Sequence, residues 1–92
     1  MSQADLHADL EEAAREEMER ALDLGWEKIA AVTPWGDVYE GYTPGGRDVC
    51  FERNYLWKDE VGYDVRVEVV VFEPRDYEQG VRLVRELTRQ DS

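Results

Sequence analysis

The N-terminal quarter of the chain carries apolar residues at helical spacing. Between Ala4 and about Leu24 these positions are Leu6, Leu10, Ala13, Ala14, Met18, Ala21 and Leu22. The period predicts an amphipathic helix, and Gly25 is a typical residue to follow the end of one. Such a helix has to bury its apolar stripe against another element.

The middle of the chain alternates aromatic and β-branched residues with clusters of turn-forming residues. The turn clusters lie at 33–37, 43–46 and 58–62. They separate four predicted strands, at 27–33, 38–42, 48–57 and 63–72. Connections this short favour an antiparallel meander over parallel crossovers. The fourth strand alternates most clearly, because Val65, Val67 and Val69 are interleaved with Arg66 and Glu68.

The last segment is predicted to be a second helix that begins at Pro74. Proline fits the first turn of a helix, where its missing N–H needs no partner. Tyr77, Val81, Val84 and Leu87 then form an apolar seam at helical spacing. The sequence therefore predicts one α+β domain over residues 1–92 in the order α-β-β-β-β-α. It consists of a four-stranded antiparallel meander with both helices on one face.

Charge and composition limit the classes of binding partner and the cellular location that we expect. The chain has 22 Asp and Glu against 11 Lys and Arg, a formal net charge of -11. We therefore expect no direct nucleic-acid binding and no membrane association, and we expect a basic protein or nucleoprotein complex as partner. Cys50 is the only cysteine, and neither a secretory signal nor a membrane-spanning apolar run is evident. A cytoplasmic location is expected.

Residues suited to catalysis are few. His7 is the only histidine, and Cys50 has the position of a small buried thiol. His7 with Glu11 alone makes a poor metal site, and Gly45 with Gly46 fits a hairpin turn better than a phosphate loop. We therefore predict no enzymatic activity, no catalytic residue, no cofactor and no metal.

One face of the first helix carries a row of carboxylates, the acidic stripe. Its members are Asp5, Asp9, Glu12, Glu16, Glu19 and Asp23. At 1.5 Å rise per residue the row spans about 27 Å, with charges about 5 Å apart, a scale comparable to the phosphates of a nucleic-acid strand. The alternative is a solvated helix face, since Arg15 and Arg20 lie four residues after Glu11 and Glu16.

Aromatic residues supply a second candidate surface. Trp35, Tyr39, Tyr42, Tyr55, Trp57 and Tyr63 are many large side chains for a sheet with one buried face. Trp35 is predicted to protrude at a hairpin tip, and exposed Trp and Tyr often anchor interfaces. Trp35 and Tyr39 therefore join the acidic stripe as predicted partner-binding residues. The alternative for Trp35 is a side chain folded back over the sheet edge.

Three functional hypotheses follow from these surfaces. The first is a non-enzymatic inhibitor that uses the acidic helix as a nucleic-acid mimic on a basic channel of its target. Phage-encoded inhibitors of CRISPR and restriction systems include small acidic proteins of this general kind. The second is an immunity protein, chaperone or adaptor that binds through the aromatic sheet or a strand edge. The third is a small-molecule-binding or catalytic domain with a pocket between sheet and helices. Each is compatible with a homodimer.

Overall fold

Two helices precede four strands in the computed structural model, which describes residues 3–89. The elements are α1 (Gln3–Leu22), α2 (Gly25–Val32), β1 (Trp35–Tyr42), β2 (Asp48–Trp57), β3 (Val65–Glu73) and β4 (Asp76–Leu87). The strands form one antiparallel sheet in the order β1-β2-β3-β4. The α+β class, the four-stranded meander and the two helices on one face are confirmed. The predicted element order is wrong, because the chain runs α-α-β-β-β-β.

The core lies between α1 and one face of the sheet. Leu10, Ala13, Ala14, Met18 and Ala21 of α1 are buried there, as their spacing predicted. Alternate residues of β3 meet them, and Val65, Val67, Val69 and Val71 are fully buried. These strand residues share one face because strand side chains alternate. The dominant contacts of α1 are with β3 and β4.

The segment predicted as a strand at 27–33 is instead the helix α2. Gly25 has φ +83°, a left-handed conformation that ends the helical path of α1 before a new helix begins. Trp26, Ile29 and Ala30 then lie on one face at helical spacing, and all three belong to the core or pack against it. The Thr33 hydroxyl donates a hydrogen bond to the Ile29 carbonyl at 2.7 Å and closes the last turn.

The segment predicted as a C-terminal helix is the strand β4. Pro74 and Arg75 form a two-residue turn between the paired residues Glu73 and Asp76, and Arg75 has φ +73°. Proline favours the first central position of such a turn as strongly as it favours a helix start. As a strand, this segment pairs with the outer edge of β3, which a helix would have left exposed.

The hairpins fix which side chains share a face. The bounds predicted for the third strand, 48–57, match β2, and the fourth predicted strand is shifted by a few residues as β3. Trp35 is the first residue of β1, not a hairpin tip, and lies opposite Tyr55 of β2. Odd-numbered residues of β1 and β2 therefore face the helices, and even-numbered residues form the opposite face.

None of the helices within residues 3–89 combines the length and apolar character that crossing a bilayer requires.

Gly80 provides a direct test of the strand assignment. A Cβ at this position would lie 2.9 Å from the Phe72 Cβ and 2.9 Å from the Val71 carbonyl oxygen. Gly80→Ala should therefore lower the free energy of unfolding by about 1–3 kcal/mol, as expected for overpacking. In a helix the same change would raise it by about 1 kcal/mol.

The measurement is urea denaturation followed by circular dichroism. The control is Glu78→Ala, an exposed position on the same strand, which should change stability by less than about 0.5 kcal/mol. A Gly80→Ala variant more stable than the parent protein would contradict the strand.

Candidate functional site

The structure divides the acidic stripe between surface and interior roles. Glu12 and Glu19 are exposed, Glu16 is half-buried, and Asp23 is exposed just beyond the end of α1. Glu12 pairs with Arg15 one turn later, an exposed contact of small energetic value. Within residues 3–89, Glu16, Glu19 and Asp23 form no ion pair. Asp5 is exposed and has a partner of its own.

Asp9 does not belong to the outward surface. Its carboxylate accepts hydrogen bonds from the Thr43 hydroxyl and from the Gly45 N–H at 3.0 Å, and it lies 3.4 Å from the Arg47 Nε. The Thr43 hydroxyl is the largest cause that lowers the pKa of Asp9, and Gly45 and Arg47 add to it against an opposing effect of burial. Asp9 therefore ties α1 to the β1–β2 turn.

Glu17 is the acid that most determines how α1 sits on the sheet. Its side chain is 2 % exposed, and its carboxylate accepts hydrogen bonds from the Tyr39 hydroxyl, the Arg53 guanidinium and, at 2.8 Å, Arg20. The Arg53 Nε lies 2.9 Å from the same carboxylate, and Arg53 also donates to the Tyr55 hydroxyl at 3.0 Å. We call these five residues the Glu17 network.

Arg53 remains charged within the Glu17 network. Burial lowers the pKa of the Arg53 guanidinium, but the Tyr55 hydroxyl and the Glu17 carboxylate outweigh that effect and raise it. The result is a hydrogen-bonded ion pair between α1 and β2 in which Glu17 is buried and Arg53 is 15 % exposed. Such pairs stabilise a fold little on balance but are costly to break from one side.

Sequence reasoning missed Glu17, although a signal was present. Position 17 lies on the same helix face as Leu10, Ala13, Ala14 and Ala21, where a carboxylate must be buried with a partner. The identity of the partner was not accessible, because it depends on the β1–β2 register that places Arg53 under α1.

The two predicted aromatic residues lie on the edge strand β1, and one of them, Tyr39, is a member of the Glu17 network. Trp35 stacks on Tyr55 with ring centroids 4.9 Å apart, and Tyr39 stacks on Phe51 at 5.6 Å. We call these four rings the aromatic ledge. Trp35 is 36 % exposed and Tyr39 is 37 % exposed, so each offers part of its ring to solvent. Trp35 is thus folded over the sheet and does not protrude.

A hydrogen bond joins the aromatic ledge to the helix that carries the outward acids. The Tyr39 hydroxyl donates to the carboxylate of Glu17, which directly follows Glu16 on α1. The exposed acids of α1 and the exposed rings of β1 therefore belong to two elements that are in contact. We call Glu12, Glu16, Glu19, Trp35 and Tyr39 together the candidate surface.

Most of the basic side chains are engaged within the protein. The ion pairs are Arg15 with Glu12, Arg20 and Arg53 with Glu17, Arg47 with Asp9 and Glu73, Lys58 with Glu86, and Arg82 with Glu68. Since acids outnumber bases by 22 to 11, the outward acids dominate the potential of the surface.

Leu10, Met18 and Val67, which were expected to fill the space between α1 and the sheet, are all buried in the core. Val84, expected to help fill that space, lies on the opposite face and is 40 % exposed. Within residues 3–89, no group of three or more His, Cys, Asp or Glu side chains is placed to hold a metal ion.

Comparisons with protein-family models, with curated proteins and with solved structures give no significant match for this chain.

Breaking the Glu17 network from one side should be more damaging than removing both charges. Glu17→Met leaves Arg53 buried without its carboxylate, and we expect a loss of about 3–5 kcal/mol in the free energy of unfolding. Glu17→Met with Arg53→Met should recover much of that loss, since the second change removes the uncompensated charge. Urea denaturation of the single and double variants measures both quantities.

The matched control is Glu19→Met, an exposed position on the same helix, expected within about 0.5 kcal/mol of the parent. If the double variant lost as much free energy of unfolding as the Glu17→Met and Arg53→Met variants together, the two charges would not be coupled.

Asp9 should make stability depend on pH. Its pKa is lowered in the folded state, so its contribution is present above the unfolded value of about 3.9 and disappears as pH falls through the folded value. Asp9→Asn should therefore cost about 1 kcal/mol at neutral pH, and this deficit should shrink below about pH 4. Thermal denaturation across that range tests the expectation, with Asp23→Asn as the control. A deficit independent of pH would contradict it.

Proposed function

We propose that this chain is a non-enzymatic protein-binding inhibitor. It docks the candidate surface on a basic, nucleic-acid-binding channel of a larger target, and the carboxylates of α1 take the place of phosphates. A target of the CRISPR or restriction type, inhibited by a phage protein, fits this mode of action. The binding partner is a protein or nucleoprotein complex, and the site of action is the cytoplasm.

The observation that carries this proposal is that Glu16 and Glu19 of the candidate surface, and Asp23 beyond it, form no ion pair within residues 3–89. Arg15 interacts with Glu19 electrostatically but forms its ion pair with Glu12. Other acids, such as Asp9 and Glu17, are hydrogen-bonded within the fold. Acids that the fold does not use remain available to Lys and Arg side chains of a partner. A rigid helix presents them at fixed spacing, which lowers the entropic cost of binding.

The aromatic ledge adds a contact of a different kind beside those acids. Trp35 and Tyr39 are each about one third exposed and held in place by stacking, so they lose little conformational freedom on binding. In the proposed complex these rings pack against apolar parts of the channel wall. The carboxylates give salt-dependent attraction, and the rings give a contribution that salt does not weaken.

A second candidate function is supported by the free edge of β1. Val38 and Tyr42 are 54 % and 71 % exposed on the face opposite the helices. In this alternative the chain is an immunity protein or adaptor, and a strand of its partner pairs with the edge of β1. Main-chain hydrogen bonds and these two side chains then form the contacts. Here Tyr42→Ser should weaken binding more than any change in α1.

The test compares three neutralising changes at two places on the protein. The first variant carries Glu12→Gln, Glu16→Gln and Glu19→Gln, and the second carries Asp59→Asn, Glu60→Gln and Glu78→Gln at exposed positions elsewhere. Both variants change the net charge equally, from -11 to -8. A difference between them therefore reports position and not total charge.

The immobilised parent protein and both variants are used to capture proteins from a bacterial lysate at low and high salt. A retained protein is identified, purified, and assayed for nucleic-acid binding with and without the parent chain. The proposal expects loss of capture with the first variant only, release by salt, and competition with nucleic acid for the purified target. Equal capture by both variants would show that the acids of α1 do not bind the target. A target with no nucleic-acid-binding activity would exclude nucleic-acid mimicry.

A further inference from the structure

The strand β4 forms one edge of the sheet. It runs from Asp76 to Leu87, and within residues 3–89 no strand pairs with its outer side. An open edge strand presents unpaired N–H and C=O groups to any other strand, and proteins usually blunt it with Lys or Pro. β4 contains neither residue, and its irregularity lies near the turn, between Val71 and Glu73 of the partner strand.

The two edges of the sheet differ in charge. β1 carries Asp37 and Glu40 and no basic residue, so a second copy of β1 would meet it with like charges. β4 carries both signs in its second half, with Arg82 and Arg85 beside Glu86. Only β4 can therefore offer opposite charges to a second copy of itself.

One antiparallel register of two β4 strands matches charges and apolar residues at once. With Val84 of each copy opposite the other, Arg82 of either copy lies opposite Glu86 of the other copy. All of these side chains lie on the face without helices, since even-numbered residues of β4 point there. On the helix face the same register brings Val81 opposite Leu87 and Leu83 opposite the stem of Arg85.

Neighbouring registers are poorer. Centring the pair on Arg82 or on Arg85 places two guanidinium groups opposite each other, and centring it on Val81 places Asp76 opposite Glu86. Centring on Gly80 allows Arg82 to meet Glu78 but places Val84 opposite Asp76 and Val81 opposite Gln79. The Gly80 register also brings Leu83 opposite Tyr77, but it runs through the irregular part of β4 near the turn. The Val84 register lies in the regular part of the strand and combines the two ion pairs with the Val84–Val84 and Val81–Leu87 pairs.

We infer that β4 is a self-association surface, and that a second copy of this chain pairs with it antiparallel about Val84 to make a continuous eight-stranded sheet. Arg82 already contacts Glu68, and its remaining donors can reach the second copy's carboxylate. The Arg85 guanidinium donates to the Val84 carbonyl at 3.0 Å in the single chain, a contact that strand pairing replaces. The two-fold axis is perpendicular to the sheet, so both copies of α1 lie on the same face.

The experiment measures the mass of the full-length chain in solution by analytical ultracentrifugation, from low-micromolar to near-millimolar concentration. The parent protein should pass from monomer to dimer. Val84→Lys should raise the dissociation constant at least tenfold, because it places two ammonium groups opposite each other at the axis. It should not harm folding, since Val84 is 40 % exposed and lies opposite Glu68 of β3. Circular dichroism checks the fold, and Val61→Lys in the exposed β2–β3 turn is the control.

A second measurement fixes the register without depending on Val84→Lys. In a Cys50→Ala background, Val84→Cys should be joined to its copy by a short thiol-specific crosslinker, whereas Glu78→Cys should not. A parent protein that stays monomeric overturns the inference. So do species that grow beyond the dimer, which would indicate pairing of β1 with β4, and so does preferential crosslinking at position 78.

Discussion

The buried contact between Glu17 and Arg53 determines how the rest of the molecule is arranged. The apolar stripe of α1 packs mainly on β3 and β4, and Val49, Phe51 and Tyr55 of β2 belong to the same core. Glu17 contacts Arg53 of β2 and Tyr39 of β1, and it fixes the helix relative to the first hairpin. Removing a charge from water is costly, so this contact holds only while every member of the network has a partner. Two rings of the aromatic ledge, Tyr39 and Tyr55, are members of this network, and each stacks on a further ring of the ledge.

The division of the carboxylates between fold and surface changes how the acidic stripe is understood. Asp9 belongs to the acidic stripe and Glu17 to the apolar face of the helix, yet each anchors α1 to the first hairpin. The helix therefore has one charged flank turned inward and another turned outward. The outward flank is the part on which a partner could act without unfolding the protein. This separation lets the surface acids change without loss of the fold, because their contribution to stability is small.

Local pattern was enough to predict α1, the bounds of β2 and the antiparallel meander. It failed where two patterns coexist in the same residues. Val81 and Leu87 of β4 satisfy both a helical and a strand period, and Pro74 suits both a helix start and a turn. The segment forms a strand because the edge of β3 needs a pairing partner. That requirement cannot be recognised from the sequence of β4 alone. In the same way the periodicity of α1 marks Glu17 as buried, but only the sheet register names Arg53 as its partner.

The unequal attachment of the two hairpins has a dynamic consequence. The second hairpin, β3–β4, makes most of the sheet's contacts with α1. The first hairpin adds Val49, Phe51 and Tyr55 to the same apolar core, and it depends in addition on the charged hydrogen bonds at Asp9 and Glu17. Apolar contacts and charged hydrogen bonds respond differently to salt and pH. The attachment of the first hairpin to α1 therefore depends more on solution conditions than that of the second. Local opening should start at β1 and leave the valine layer of β3 intact. Amide protons of Tyr39 would then exchange with solvent long before those of Val69.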